Sequence, residues 1–201
     1  TSLEGPMGEN QRIYGPQSGQ PTVTISCITH RQDPIYQNIL GGTVEEHSLL
    51  AVPMEARILQ MLRAISPRVI TLNLLPNFMR CVIQIDDYPA VQRGLAKNVL
   101  LSALSEPWIK YAIIVDKDVD IDDPHEVNWA IMTRANMADD LVLVKDAWGF
   151  VMDPSRKSKE EPVTKIGIDA TVDPADRDRC LKTDVHEYAA CDLREYLTEL
   201  Q

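Results

Sequence analysis

The 201-residue chain is 44% hydrophobic and 25% charged, as in ordinary globular proteins with one substantial core. Its formal net charge of −10 argues against a nucleic-acid partner, which would require a basic face. We recognise no signal peptide and no apolar run approaching about 18 residues, so we expect a cytoplasmic protein without a membrane partner.

The first notable segment is Glu4-Gly5-Pro6-Met7-Gly8-Glu9, in which two glycines and a proline separate two carboxylates. Because glycine accepts backbone angles closed to other residues and proline fixes its own φ, the segment predicts a shaped turn. Such a turn can direct Glu4 and Glu9 into one pocket, where one carboxyl would stay protonated and act as a proton donor. An acidic surface turn is the alternative, and the residues alone leave both interpretations open.

The remaining chain alternates between predicted strands and helices. Val23, Ile25 and Cys27 alternate with polar residues, which predicts a strand at the end of a domain that begins before this chain. Thr43 and Glu46 form a capping box ahead of an apolar helix that Pro67 ends. Further strands are predicted at 69–74, 81–85, 111–115 and 141–144, with helices at about 90–104 and after Asp123. This alternation predicts an α/β fold with a mostly parallel sheet flanked by helices.

The acidic run between Asp116 and Asp123 invites comparison with a calcium loop. Counted from Asp118, the sixth and twelfth positions hold Asp123 and Trp129, where an EF-hand requires Gly and Glu. We therefore expect a strand-end turn and a helix cap, with an adventitious cation site as the alternative. The four histidines are far apart in sequence, so no metal site is predicted.

Several motifs, taken in order, resemble the UbiD family of decarboxylases. They are EGPMGE at 4–9, ITHR at 28–31, DPIY at 33–36, EEH at 45–47, VDKDVDI at 115–121, WA at 129–130, TR at 133–134 and KIGIDAT at 165–171. Each motif is weakly specific, whereas the ordered set covers nearly the whole chain to about residue 171. One departure is that Asn10-Gln11-Arg12 follow the turn, where the family usually has an aromatic residue.

The resemblance implies a non-oxidative, reversible decarboxylase of aromatic or α,β-unsaturated carboxylic acids, with a hydroxybenzoate-like phenolic acid as the expected substrate. It implies prenylated FMN, Mn²⁺ and in some members K⁺, with a flavin prenyltransferase supplying the cofactor. By motif position, Glu4 would pair with a catalytic arginine and Glu9 would donate and accept the proton. The family's arginine, metal ligands and most flavin contacts lie upstream of the turn. We therefore assign no metal ligand and no cofactor-binding residue to this chain.

Three parts are expected from this comparison. Residues 1–42 would be a remnant of a β-rich flavin-binding domain with the catalytic turn and one strand, and residues 43–172 the α/β C-terminal domain. Residues 173–201 would form a linker and an amphipathic tail helix that docks on a neighbouring subunit of a homo-oligomer. The upstream half would then be truncated or supplied by a separate chain. The alternative is a non-catalytic assembly domain related to UbiD proteins, with a vestigial turn.

Overall fold

The computed structural model describes residues 1–92, 94–158, 160–173 and 175–183. The tail helix predicted near residues 186–200 lies outside these ranges. The chain begins with a small antiparallel pair, β1 (Ser2–Glu4) and β2 (Ser18–Gln20), in which Glu4 lies opposite Ser18. Both strands of this pair are exposed to solvent.

A five-stranded sheet forms the body of the molecule. Its strands are β3 (Val69–Asn73), β4 (Arg80–Ile85), β5 (Tyr111–Asp116), β6 (Leu141–Ala147) and β7 (Val163–Ala170). They lie in the order β3-β4-β5-β7-β6. The predicted α/β class is confirmed, and parallel pairing is confined to β4, β5 and β7, whereas β3 and β6 pair antiparallel at the two edges. Each edge strand is joined to its neighbour by a loop without a crossover helix, which favours the antiparallel arrangement.

Three helices cover the two faces of the sheet. They are α1 (Val44–Ile65), α2 (Leu95–Leu104) and α3 (Pro124–Arg134). The predicted caps are confirmed: the Glu46 N–H lies 3.4 Å from Thr43 Oγ1, and the His125 N–H donates to Asp123 Oδ1 over 2.8 Å. Among the described residues, no helix is long and apolar enough to cross a membrane.

Two hydrophobic clusters lie on opposite faces of the sheet. On one face, α1 and α2 pack against alternate residues of β4 and β5, including Cys81, Ile83 and Ile114. On the other face, α3 packs against the intervening residues, including Val82 and Ile113. This alternation explains why the central strands read as continuous apolar runs, since both of their faces are buried.

The strand predicted from Val23, Ile25 and Cys27 is not formed. Residues 21–31 have no strand assignment, and the Val23 and Ile25 side chains are 87% and 69% exposed. A strand requires a neighbouring strand to satisfy its backbone groups, and within the described ranges none pairs with this segment. The alternation of apolar and polar residues therefore shows only that this segment could form a strand if a neighbouring strand were available.

Candidate active site

The EGPMGE segment forms one arm and the tip of an irregular hairpin that closes through β1 and β2. Gly5 has a φ of +96°, a conformation that favours glycine, and it starts the departure from β1. The Gly15 N–H donates to the Met7 carbonyl over 2.8 Å, and the Glu9 N–H donates to the Ile13 carbonyl over 2.8 Å. A tight turn from Glu9 to Arg12 closes the tip with a 2.9 Å hydrogen bond. The predicted shaped turn is therefore present.

The hairpin tip docks on the beginning of α1. The Arg12 Nε–H donates to the Gly42 carbonyl over 2.9 Å, and His47 Nε2 lies 2.5 Å from the Asn10 carbonyl oxygen. A Cβ at Gly41 would lie only 2.7 Å from the Gly8 carbonyl oxygen, so the two backbones approach as closely as glycine permits. The motif is thus held by α1 as well as by its own strands.

His47 connects this contact to the hydrophobic core. Its side chain is 2% exposed and packs edge-on against Phe78, with 6.2 Å between ring centroids. The neighbouring Glu46 carboxylate accepts a hydrogen bond from the Gly42 N–H over 2.5 Å, which fixes the chain just before the helix. Sequence analysis missed this positioning role for His47. The glycine pair at 41–42, directly before the capping box, was the signal for a close backbone approach.

The two candidate catalytic carboxylates differ in environment. Glu4 is exposed on β1, whereas Glu9 is half-buried at the hairpin tip. A Cβ at Gly15 would lie 2.7 Å from Glu9 Oε1, so the glycine leaves the space that this carboxylate occupies. Within the described part of the chain, neither carboxylate forms a hydrogen bond to another side chain. The hairpin carries both groups, and their coupling through one pocket stays a prediction.

The acidic run lies at the opposite end of the sheet, where β5 ends. Buried Asp116 accepts hydrogen bonds from the Val172 N–H over 2.8 Å and from Arg134 Nη1 over 3.1 Å. Burial raises the pKa of Asp116 to about 6. Arg134 also forms a bidentate pair with Asp118, with distances of 2.9 and 2.6 Å, which holds the Asp118 pKa below its usual value. The run therefore supplies the predicted helix cap through Asp123, together with an ion-pair network to Arg134 that the sequence did not predict.

The described residues do not form a metal centre. None of them belongs to a group of three or more His, Cys, Asp or Glu side chains that could hold a metal ion. The polar side chains near the hairpin tip are Asn10, Gln11, Arg12 and His47, of which Arg12 and His47 contact backbone carbonyls.

Two family profiles match the chain. Residues 47–170 match the C-terminal domain of 3-octaprenyl-4-hydroxybenzoate carboxy-lyase, UbiD, and residues 1–44 match its Rift-related domain. The chain belongs to the UbiD family. The boundary between the two matches lies just before His47, the residue of α1 that contacts the hairpin tip.

Individual UbiD-family proteins agree with this assignment. The chain is 33% identical over 173 residues to an anhydromevalonate phosphate decarboxylase of Methanocaldococcus jannaschii, covering 84% of this chain and 40% of that protein. It is 30% identical over 163 residues to a gallate decarboxylase of Lactiplantibacillus plantarum, covering 75% of this chain and 33% of that protein. The chain therefore spans about 40% or less of the length of these relatives.

A solved structure of the family also resembles this one closely. It is the UbiD-class enzyme HmfF from Pelotomaculum thermopropionicum, in complex with FMN. The TM-score is 0.88 at 33% identity, with 97% of this chain and 44% of that chain covered. The similarity extends over the hairpin as well as the α/β body, because nearly the whole chain is included in the superposition.

Proposed function

We propose that this chain is the C-terminal part of a UbiD-type decarboxylase and supplies two of its catalytic carboxylates, Glu4 and Glu9. The observation that carries the proposal is the docked hairpin. The family motif is fixed by its own backbone hydrogen bonds and by two contacts at the start of α1, one from Arg12 to the Gly42 carbonyl and one from His47 to the Asn10 carbonyl. Two close contacts at glycines and a buried histidine hold this segment in position. Such restraint is expected where a function depends on the exact placement of side chains.

Glu9 is the better placed of the two carboxylates for proton transfer. It is half-buried at the hairpin tip, where Gly15 leaves space for its carboxylate, whereas Glu4 is exposed on β1. As an acid, Glu9 would protonate the substrate carbon that has lost its carboxyl group, and the resulting carboxylate would recover a proton from solvent or from Glu4. Glu4, on the exposed strand β1, would hold the charge and orientation of a basic partner supplied by the rest of the protein.

The described residues do not by themselves fit prenylated FMN or a divalent metal. No cluster among them could hold a metal ion, and the cavity beside the hairpin tip has a volume of about 330 Å³. We infer that the flavin, Mn²⁺ and any K⁺ are held mainly by residues outside the described part of the chain. The structures of HmfF in complex with FMN and with prenylated FMN support a flavin in this proposed enzyme.

The substrate class is an α,β-unsaturated or aromatic carboxylic acid. Relatives named for gallate and vanillic acid support the phenolic acid that the sequence predicts. Several relatives are instead named for anhydromevalonate phosphate, which supports a phosphorylated acid. Both groups of relatives are decarboxylases, so the reaction type is better supported than the substrate.

Co-expression with a flavin prenyltransferase tests the proposal. The complete protein that contains this chain should purify with flavin absorbance in the near-ultraviolet and visible range. It should release CO₂ from at least one acid in a panel of hydroxybenzoates, dihydroxybenzoates and phosphorylated unsaturated acids. A catalytic role would be contradicted by protein that binds flavin but releases no CO₂ from any member of the panel. The same protein would also have to show no H/D exchange at the carbon from which the carboxyl group is lost.

A second candidate function, subunit assembly without catalysis, has a separate structural argument. Large apolar side chains are exposed along residues 23–40 and on the first half of α1, including Val23, Ile35, Leu49 and Val52. Such a run favours contact with another protein surface, either the rest of the protein or a second copy. Size-exclusion chromatography with light scattering, combined with the CO₂-release assay, separates these functions: an assembly domain would form stable oligomers without flavin and would release no CO₂, whereas a decarboxylase would release CO₂ and lose this activity in the Glu9→Gln variant.

A further inference from the structure

A second feature of the molecule lies between the hairpin tip and the sheet. It is a cavity of about 330 Å³ at the edge where β4 and β5 begin. Its lining includes Gln11, Asn77, Arg80, Lys110, Tyr111 and Ser155. These residues come from the hairpin tip, from the starts of two central strands and from the loop between β6 and β7, so the folded chain brings four separate segments together here.

Within the described part of the chain, one of the two cations that line the cavity has no counter-ion. Lys110 Nζ lies 2.8 Å from Asp153 Oδ2, and the buried carboxylate compensates the lysine charge. Arg80 Nη1 donates to the neutral Leu75 carbonyl over 2.9 Å. Among the residues that the structure describes, no carboxylate lies within ion-pairing distance of Arg80, and its partial burial lowers its pKa. A cation in this state is stabilised when an anion binds beside it.

The cavity also contains neutral hydrogen-bonding groups that a ligand could contact. Both polar atoms of the Gln11 side chain are buried, and neither has a hydrogen-bond partner among the described residues. Asn77 Oδ1 accepts from the Met79 N–H over 2.9 Å, which leaves the Asn77 amide N–H groups as donors. The Ser155 hydroxyl accepts from Lys110 Nζ over 2.6 Å and retains its own proton for donation. A buried side-chain amide such as that of Gln11 normally has a hydrogen-bond partner.

Gln11 has a fixed position in this cavity. Its two neighbours, Asn10 and Arg12, are the residues whose contacts dock the hairpin tip on α1. The Gln11 amide is therefore presented by a rigid turn. The arrangement combines a guanidinium that can bind an oxyanion in a bidentate manner with neutral amide and hydroxyl donors, which is typical of sites for phosphate groups.

We propose that this cavity binds a phosphate monoester, with the phosphate group held by Arg80 and Gln11. The uncompensated positive charge disfavours a metal cation as the occupant. A volume of about 330 Å³ exceeds the share of one phosphate ion and leaves room for a short organic group. The inference does not depend on decarboxylation, because the lining residues are part of the described chain and none is Glu4 or Glu9.

Binding to the 201-residue chain tests the proposal, with butyl phosphate and inorganic phosphate as the two probes. Isothermal titration calorimetry measures the affinity, and ¹⁵N–¹H NMR follows the Gln11 side-chain amide. Butyl phosphate should bind saturably, more tightly than inorganic phosphate, and shift the Gln11 amide signal. Arg80→Gln should weaken binding about tenfold or more, because it removes a charged hydrogen-bond donor. Lys145→Ala, which removes the same charge from an exposed position outside the cavity, should leave the affinity unchanged.

Three results would overturn the proposal. One is a lack of saturable binding up to about 20 mM probe. Another is equal weakening by Arg80→Gln and Lys145→Ala. The third is binding of inorganic phosphate as tight as that of butyl phosphate, which would refute the monoester assignment. If Arg80→Gln lowers the melting temperature so far that the chain is unfolded, Gln11→Ala replaces it, and unchanged affinity in that variant would likewise refute the site.

Discussion

Substitution of Gly15 tests whether the position of the Glu9 carboxylate matters. A Cβ at residue 15 would lie 2.7 Å from Glu9 Oε1, whereas ordinary van der Waals contact starts near 3.4 Å, so the oxygen would have to move by about 0.7 Å. Gly15 does not have a left-handed φ, so alanine introduces no backbone strain there. Because the obstructed atom is the end of a flexible side chain, Gly15→Ala should change the free energy of unfolding by less than about 1 kcal/mol.

The effect on catalysis should be much larger than the effect on stability. A displacement approaching 1 Å at a reacting group can reduce a rate by up to about 100-fold, so we expect kcat of the complete enzyme to fall by about 10- to 100-fold. The assay is CO₂ release under saturating substrate, accompanied by urea denaturation. Gly19→Ala is the matched control, because this position on the same hairpin has no heavy atom within 4 Å of the new Cβ. Equal activity of the two variants would refute the proposed role of Glu9 geometry.

Three further predictions concern stability. Phe78 is 1% exposed, so Phe78→Ala should lower the free energy of unfolding by about 3–5 kcal/mol in urea denaturation. Met132→Ala, at an 81% exposed position, should change it by no more than about 0.5 kcal/mol, and similar losses in the two variants would contradict the assigned core. The pKa of Asp116 is raised from 3.8 to about 6 in the folded state, which therefore binds more protons than the unfolded state between these values. The free energy of unfolding should contain a contribution that falls as the pH rises from about 4 to about 6, and Asp116→Asn should remove it; an unchanged pH profile in that variant would show that Asp116 is not the source. Lys165 Nζ donates to two backbone carbonyls at and just after the end of α2, over 2.9 and 2.5 Å. Lys165→Met should therefore lower the free energy of unfolding by about 2 kcal/mol or more. An unchanged stability in thermal unfolding would exclude this capping role.

The sequence predicted the elements whose signals are local. Thr43 and Asp123 cap their helices as expected, since an N-cap depends on a side chain and N–H groups within three residues. The strands of the central sheet were recognised because burial on both faces produces short apolar runs. The strand predicted near Val23 is absent, because a strand also needs a neighbouring strand, and the alternation of residues does not reveal whether one is present.

Long-range contacts at the candidate site could not be predicted in the same way. The contact between His47 and the Asn10 carbonyl joins residues 37 positions apart, and the cavity at Arg80 joins four segments. Neither has a local pattern in the sequence. The antiparallel edges of the sheet were also missed, because strand order depends on loop paths and on packing of the helices.

The Glu9→Gln variant of the complete, flavin-loaded protein tests the central claim most directly. Glutamine preserves the size of the side chain and removes its transferable proton, so flavin absorbance should be unchanged while kcat falls by about 100-fold or more. Turnover within twofold of the unsubstituted protein would show that Glu9 is not the proton donor, and the docked hairpin would then require another explanation.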